Sequence, residues 1–291
     1  YCVNNCVYCG YKKCNSFNRR KLTQDEIKEE VKILEKMGHK RLALELGEDP
    51  VNAPIDYVLE SLDTIYKTQN ENGNIRRVNV NIVATTVENY KKLKDANIGT
   101  YILFQETYHK PTYDLMHPNS LKSSYEYHLN AFDRAMEAGI EDVGGGVLFL
   151  KFGVTQVSSG SSTGVGGYKQ REEGKSIEQF KTSDERTPIE VLNWLLDEGY
   201  IPSYCTACYR KERTGETFMG LAKTGEIQKM CEPNALMTLM EYALDYGDES
   251  TCKKAEKLVM EEAEKINNDS IRKFINDGVI KLKEGQRDIY I

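Results

Sequence analysis

Three closely spaced cysteines near the start of the chain constrain its structure and chemistry more than any other feature. Cys2, Cys6 and Cys9 follow the spacing C-x3-C-x2-C, and Tyr8 directly precedes the last of them. Three thiolates bind three irons of a cubane cluster, whereas a cluster that serves only electron transfer normally has four cysteine ligands. The spacing therefore predicts a 4Fe-4S cluster whose fourth iron is open to another molecule.

Two other uses of these cysteines are weighed against the cluster. A structural zinc site needs a fourth ligand, which Cys14 could supply, but zinc sites usually have C-x2-C pairs at both ends. Disulfides are less favoured, because eight cysteines in 291 residues do not form a disulfide-dense scaffold and no secretory leader precedes them. A reducing cytoplasm would keep them as thiols, and we expect a cytoplasmic protein.

Composition excludes several classes of protein. The chain is 40% hydrophobic and 29% charged, as in globular domains, and it contains no apolar run long enough for a membrane span. Its net charge of -6 argues against a nucleic-acid-binding surface. We therefore expect neither a membrane nor a nucleic acid among its partners.

Strand and helix patterns alternate through the first half of the chain. Such alternation predicts parallel strands covered by helices. After Thr23, whose sequence context is a capping box, a helix is predicted to end at Gly38. The later predicted strands are 41–46, 76–84, 100–105 and 143–150, and the later predicted helices are 55–67, 87–96 and 123–138.

The alternation breaks near Leu150. A second strand-like run at 154–158 follows almost at once, although parallel neighbours need a crossover of about a dozen residues. Either the second run is no barrel strand or a stretch of chain has been lost here, and we favour the loss. Beyond the break, helices are predicted at 188–196, 235–246, 251–266 and 270–281.

A second set of three cysteines lies in the last third of the chain. Cys205 and Cys208 form a C-x2-C pair, and 22 residues separate Cys208 from Cys231. Three thiolates are too few for a closed zinc site, and no histidine lies beyond His128. A second cluster with an open iron is therefore favoured over zinc. Cys14 and Cys252 belong to neither set, and Cys252 is predicted to be a bystander thiol.

With these motifs in place, the chain resembles the HydG family, radical S-adenosylmethionine (SAM) tyrosine lyases that mature iron-only hydrogenase. The resemblance rests on both cysteine sets and on the runs 44–50, 104–109, 163–168 and 233–236. It implies a radical SAM TIM-type (β/α) barrel at 1–200 that lacks the strand before Tyr1 and is gapped near Leu150, where about two strand-helix units are missing. It also implies a mainly helical domain at 201–291 that binds an auxiliary iron-sulfur cluster.

The resemblance also implies site residues and a reaction. SAM would bind the open iron of the first cluster, with cofactor contacts from Tyr8, Gly47, Glu48, Gln105, Glu106 and Arg134. Arg134 would bind the SAM carboxylate, and no catalytic residue is assigned. L-tyrosine would be cleaved to p-cresol and dehydroglycine, and the latter converted to CO and cyanide for the hydrogenase H-cluster.

The implied partners are a hydrogenase maturation scaffold, the hydrogenase and an external electron donor, all under anaerobic conditions. Ser162 departs from the family pattern, which leads us to expect a cysteine there. Two alternatives stay open. One is the 2-iminoacetate synthase of thiazole biosynthesis, which lacks the second cluster. The other is a non-catalytic iron-sulfur or zinc protein.

Overall fold

A partial parallel barrel forms the first part of the molecule. The structure, a computed structural model, describes residues 1–16, 18–70, 73–144, 159–175, 185–213 and 215–291. The chain divides into two compact units, Tyr1–Ser183 and Asp184–Ile291. In the first unit four parallel strands lie in sequence order, as in part of a TIM-type barrel. The strands are β1 (Arg41–Glu45), β2 (Arg77–Asn81), β3 (Tyr101–Ile102) and β4 (Val143–Gly144).

In the described part of the first unit, helices follow each of the strands. The described elements of the second unit are helices. The helices of the first unit are α1 (Gln24–Lys36), α2 (Ile55–Lys67), α3 (Val87–Asp95), α4 (Lys110–Met116), a 3-10 turn (Leu121–Ser123), α5 (Tyr125–Leu129), α6 (Ala131–Glu137) and α7 (Gly167–Glu172). Those of the second unit are α8 (Pro188–Asp197), α9 (Ala207–Arg210), α10 (Gly215–Lys223), α11 (Gln228–Tyr246), α12 (Glu249–Lys265) and α13 (Asp269–Lys283). No helix in these described ranges is long and apolar enough to cross a membrane.

The two faces of the sheet differ in polarity because side chains alternate along each strand. Val78 and Val80 are fully buried on the face that α2 and α3 cover, and Leu62 of α2 packs in the same core. On the other face the register places Glu45 beside Asn81. The polar face lines the inside of the partial barrel, and the apolar face packs against the helices outside it.

Local signals determine the bounds of α1. The Thr23 hydroxyl accepts the Glu26 backbone N–H, and the Glu26 carboxylate accepts the Thr23 N–H, which completes the predicted capping box. The helix ends at Met37, and Gly38 adopts a φ of +90° that favours glycine. The predicted start and end of this helix are confirmed.

The second unit has its own hydrophobic core. Leu192 and Leu196 of α8 pack there with Leu236 and Met240 of α11 and with residues of α12 and α13. For this reason the boundary between the units falls after Ser183 and before α8, whereas the sequence placed it between 200 and 201. The binding of an auxiliary cluster by this unit stays a prediction.

Several predicted elements differ from those observed. The helix predicted at 123–138 is broken at Asn130, whose side-chain amide donates to the Glu126 carbonyl. The strand predicted at 100–105 ends at Ile102, before a turn in which Glu106 has a φ of +60°. Helix α11 begins five residues before Pro233. The strand predicted at 143–150 is described only at its first two residues, and the run 154–158 and the break near Leu150 lie outside the described residues.

Candidate functional site

The first cysteine loop lies at the end of the sheet where β1 and β3 finish. The Val3 backbone N–H donates to the Glu48 carbonyl at 2.7 Å, just after β1. The Val7 N–H donates to the carbonyl of Met116, at the end of α4, at 3.0 Å. Functional groups of parallel barrels gather at this carboxyl end of the strands. The loop is therefore attached by its backbone where a barrel site is expected.

The three thiols of this loop lie close enough to interact electrostatically. Cys6 is buried, and Cys2 and Cys9 are half-buried. Burial raises the pKa of the Cys6 thiol, the ammonium of Lys122 opposes this, and the charges of Cys9 and Cys2 raise it further. The Tyr11 backbone N–H donates to Cys9 Sγ at 3.4 Å, a contact that stabilises a thiolate.

Gly47 has no space for a side chain. A Cβ there would lie 2.4 Å from the Tyr1 carbonyl oxygen and 2.9 Å from the Cys2 Cβ. The loop after β1 and the first cysteine therefore touch through bare backbone. These features fit an iron-sulfur cluster held by Cys2, Cys6 and Cys9. They are the close backbone approach, three soft thiol donors and an N–H directed at sulfur.

A buried polar network surrounds Tyr8. Its hydroxyl lies 2.9 Å from His117 Nε2, and Lys122 Nζ donates to it at 3.3 Å. Lys122 Nζ also donates to Glu106 Oε1 at 2.8 Å and to the Phe104 carbonyl at 3.2 Å. His117 is fully buried and Lys122 nearly so. The network joins the cysteine loop to the turn after β3.

Chemistry assigns the protons of this network. His117 Nδ1 lies 2.9 Å from the Tyr113 carbonyl, which only accepts, so Nδ1 carries a proton, while Nε2 faces both the Tyr8 hydroxyl at 2.9 Å and Glu106 Oε2 at 3.4 Å. Burial and the Glu106 carboxylate raise the pKa of the Tyr8 hydroxyl. Burial also raises the pKa of Glu106, but hydrogen bonds from His117 and Lys122 outweigh it, and the net shift is downward. Glu106 is a carboxylate and Tyr8 a neutral phenol.

Glu48 is held by the cysteine loop itself. Asn4 Nδ2 donates to Glu48 Oε2 at 2.6 Å, and the Lys122 backbone N–H donates to Asn4 Oδ1 at 3.3 Å. Burial raises the pKa of Glu48, while the Asn4 hydrogen bond and the Lys122 charge lower it. The structure thus brings three predicted residues, Tyr8, Glu48 and Glu106, to the loop that carries the cysteines.

Gln105 and Arg134 behave differently from these three residues. Gln105 is buried, and its Nε2 has no hydrogen-bond partner among the described residues, as expected of a donor directed at a ligand. Arg134 donates to the carbonyls of Thr85 (3.1 Å) and Tyr127 (2.6 Å) and lies over the Tyr127 ring. No hydrogen bond or ring contact of Arg134 in the described residues reaches the cysteine loop, and its role toward SAM stays a prediction.

The second cysteine set also assembles. Burial raises the pKa of Cys231, and the charges of Cys208 and Cys205 raise it further. Burial also raises the pKa of Cys208, and the guanidinium of Arg213 opposes the upward shift at Cys208 and Cys231. The Nε of Arg213 is buried without a partner among the described residues. The Ala207 N–H donates to Cys205 Sγ at 3.4 Å, which repeats the contact seen at Cys9. Soft donors beside a buried cationic N–H fit a second iron-sulfur cluster.

The other cysteines take no part in these sets. Cys14 is exposed, and Cys252 donates its S–H to the Ala243 carbonyl, as a bystander thiol does. All eight cysteines are described, and none forms a disulfide. Across the described ranges no three His, Cys, Asp or Glu side chains converge on one metal ion.

Sequence reasoning missed Asn4, His117 and Lys122. No local pattern marks His117, because no second histidine stands at a ligand spacing from it. Lys122 contacts Tyr8 across 114 residues, and no local pattern carries that information. Asn4 lies inside the cysteine motif, and this position is the one signal that pointed to it.

Comparison with known proteins agrees with the fold. The model of the radical SAM superfamily matches residues 1–156, and the chain belongs to that superfamily. The resemblance to HydG is confirmed: a HydG crystal structure, a maturase of FeFe-hydrogenase, is 44% identical with a TM-score of 0.93 over 100% of this chain and 82% of that one. HydG from Carboxydothermus hydrogenoformans is 27% identical, with a TM-score of 0.78 over 96% of this chain and 79% of that one.

A curated relative matches half of the chain. The 2-iminoacetate synthase of Salmonella typhimurium is 31% identical over 147 residues, which are 50% of this chain. The matched region spans 37% of that relative's length.

Proposed function

We propose that this chain is a radical SAM tyrosine lyase of hydrogenase maturation. The observation that carries the proposal is the likeness to HydG over the full length of the chain, which includes the second cysteine set. In the proposal Cys2, Cys6 and Cys9 hold a 4Fe-4S cluster. When bound, this cluster together with SAM supplies a 5'-deoxyadenosyl radical.

Residues around the first set would bind and orient SAM. The close packing of Gly47 on Cys2 leaves backbone polar groups of that loop beside the cluster loop. Glu48 would accept a hydrogen bond from the amino-acid part of SAM, and Gln105 would donate one to it. Gln105 Nε2 is free for this among the described residues. Lys122 and His117 keep Tyr8 and Glu106 in place. Arg134 would bind the SAM carboxylate only after leaving the Thr85 and Tyr127 carbonyls.

The substrate and products belong to the same proposal. L-tyrosine loses its side chain as p-cresol by cleavage of the Cα–Cβ bond, and the dehydroglycine fragment is converted to CO and cyanide. Cys205, Cys208 and Cys231 hold the auxiliary cluster that serves this second stage. The partners would be an external electron donor, the maturation scaffold and the hydrogenase, in an anaerobic cytoplasm.

One alternative has an observation in its favour. The likeness of half of the chain to a 2-iminoacetate synthase would also fit a tyrosine lyase that stops at dehydroglycine. Such an enzyme needs only the first cluster. The second cysteine set, assembled beside Arg213, favours the hydrogenase maturase.

An anaerobic assay tests the proposal. The full chain is reconstituted with iron and sulfide and then incubated with dithionite, SAM and L-tyrosine, and the products are measured by mass spectrometry. We expect 5'-deoxyadenosine and p-cresol, and neither from a Cys6→Ala variant. A chain that binds iron at both sets yet forms no p-cresol would contradict the assignment as a tyrosine lyase.

Iron content separates the two lyases. A Cys205→Ala/Cys208→Ala variant should bind less iron than the unaltered chain and lose CO and cyanide, while it still forms p-cresol. Cys14→Ala is the matched control, because that thiol is exposed and outside both sets. Equal iron in the double variant and the unaltered chain would favour the 2-iminoacetate synthase.

A further inference from the structure

A short segment after α13 runs along the second unit and touches both parts of the second cysteine set. We call residues 287–291 the strap. It has no regular secondary structure, and Asp288 in it has a φ of +61°. Nothing in the proposed chemistry uses it, yet nearly every residue in it makes a specific contact.

The first group of contacts attaches the strap to α11, the helix that carries Cys231. The Arg287 guanidinium donates to Asp245 at 2.7 Å. The Asp288 backbone N–H donates to Glu241 Oε2 at 2.7 Å. The Ile291 N–H donates to Asn234 Oδ1 at 2.8 Å, and Asn234 is buried. These three contacts fix the strap along more than two turns of α11.

The second group attaches the strap to α9, the short helix of the Cys205 and Cys208 pair. Arg210 Nη1 donates to Asp288 Oδ1 at 2.9 Å. The Arg210 guanidinium also lies 4.7 Å from the centroid of the Tyr290 ring, and Lys211 Nζ lies 5.5 Å from it. Arg213 Nη2 donates to the Ile291 carbonyl at 2.8 Å. All of these donors follow Cys208 within five residues.

Helix α9 needs such support because it has only four residues. Helices this short are not stable on their own, since one turn does not offset the cost of nucleation. On the other side of the pair, the ring of Tyr204 stacks on Tyr242 of α11 at 3.9 Å between centroids. The cysteine pair is therefore held to α11 at its start by this stack and at its end by the strap.

We propose that the strap positions the second cysteine set. It does so through the contact between Tyr290 in the strap and Arg210 at the end of α9. It would hold Cys205 and Cys208 at the distance from Cys231 that one iron-sulfur cluster requires. This inference rests on the proposed function, in which these three thiolates share a cluster. The strap binds no iron itself.

Crosslinking of the reduced, iron-free full chain tests the geometry without any cluster. Dibromobimane, a short bifunctional thiol reagent, is added, and the linked pairs are identified by peptide mapping. The yield of Cys231 links to Cys205 or Cys208 is divided by the yield of the Cys205–Cys208 link, which lies within one loop. We expect this ratio to fall about fivefold in Arg210→Ala/Tyr290→Ala, which loses an exposed ion pair and cation-π contacts.

Matched variants separate positioning from loss of the fold. Tyr290→Phe keeps the ring and should give the unaltered ratio. Arg272→Ala removes an arginine ion pair from α13 in the same unit and should also leave it unchanged. Thermal unfolding is followed for each variant. If the double variant is unfolded, Tyr290→Ala against Tyr290→Phe provides the same comparison. A ratio that is equal in Tyr290→Ala, the double variant and the unaltered chain overturns the proposal.

A spectroscopic measurement then connects the strap to the cluster. In a Cys2→Ala/Cys6→Ala/Cys9→Ala background only the second cluster remains, and Tyr290→Ala should broaden its electron paramagnetic resonance signal relative to Tyr290→Phe. An identical signal in the two variants counts against the strap. If this background binds no iron while the crosslinking ratio falls as expected, the proposed function fails and the strap's structural role stands.

Discussion

Gly47 shows how a single backbone position can decide whether the first cluster forms. It lies in the loop after β1, where any Cβ would meet the Tyr1 carbonyl and the Cys2 side chain. Gly10, one residue beyond Cys9, has open space around its missing Cβ. Neither glycine has a positive φ, so alanine fits the backbone at both positions and only the space differs.

We therefore predict that Gly47→Ala displaces Cys2 and that Gly10→Ala does not. Overpacking of this kind costs about 1–3 kcal/mol, and the loop would move rather than accept the clash. Iron content and the visible absorption of the reconstituted chain measure the effect in a Cys205→Ala/Cys208→Ala background. Loss of iron in both glycine variants, or in neither, would refute the explanation by close packing.

The charge state of Glu106 makes the stability of the folded chain depend on pH. Hydrogen bonds from His117 and Lys122 hold the pKa of this partly buried carboxyl below its ordinary value. The unfolded chain therefore binds this proton at a higher pH than the folded chain does. The stabilisation is complete above the unfolded pKa of about 4.3 and is lost as the pH falls through the folded value.

Glu106→Gln should accordingly flatten the acid side of the stability profile. We expect the unaltered iron-free chain to lose stability from this group as the pH falls from about 5 to about 3, and the variant to lose less. Urea unfolding across this range measures it. Glu88→Gln removes an exposed carboxyl from α3 and should leave the slope unchanged. The same slope in Glu106→Gln and the unaltered chain would contradict the prediction.

At the scale of the element, Glu30 of α1 holds the glycine-rich loop, residues 160–167, and the start of α7 against α1. Its carboxylate accepts the backbone N–H groups of Tyr168 (3.0 Å) and Lys169 (2.9 Å), at the start of α7. The Tyr11 hydroxyl donates to the Thr163 carbonyl at 2.9 Å, so the same loop also contacts the cysteine loop. Ser162 packs within this loop, where its Oγ lies beside Gly167.

Glu30→Ala should release α7 without unfolding α1. The variant leaves two backbone donors without their charged acceptor, at a cost of about 2 kcal/mol. Hydrogen exchange at the amides of Tyr168 and Lys169 should become faster. Glu29→Ala, which removes an exposed ion pair one residue away, is the control. Unchanged exchange in Glu30→Ala would mean that other contacts hold the loop.

At the scale of the whole molecule, each unit has its own hydrophobic core. Leu62 lies fully buried in the core of the first unit, and Leu236 lies fully buried in that of the second. Each unit also holds one complete set of three cysteines. Packing within each unit therefore supports its own candidate metal site.

Substitutions that create a cavity in one core should then destabilise mainly the unit that contains it. Leu62→Ala and Leu236→Ala each remove buried atoms and cost about 2–5 kcal/mol. We predict faster hydrogen exchange mainly in residues 1–183 for the first variant and mainly in 184–291 for the second. Hydrogen exchange with mass spectrometry compares the two variants directly. Equal acceleration in both units from either substitution would show that they unfold as one.

Local patterns were sufficient for much of the fold. The apolar spacing of α2 predicted its bounds, Ile55–Lys67, and the capping box at Thr23 predicted the start of α1. Both signals act between residues within a few positions of each other, where sequence spacing directly reflects geometry. The break at Asn130 and the turn at Glu106 were missed, because side-chain hydrogen bonds and tertiary packing override helix and strand propensity there.

The sequence by itself determined the two sets of cysteine donors and the strand-helix alternation, because ligand spacing and hydrophobic period are local properties. Only the tertiary structure decided that His117 and Lys122 lie against Tyr8, that α8 packs in the second core, and that the strap touches α9 and α11. Those contacts join residues far apart in the chain. They arise when buried polar groups find partners during packing, and no local pattern specifies which partner each one meets.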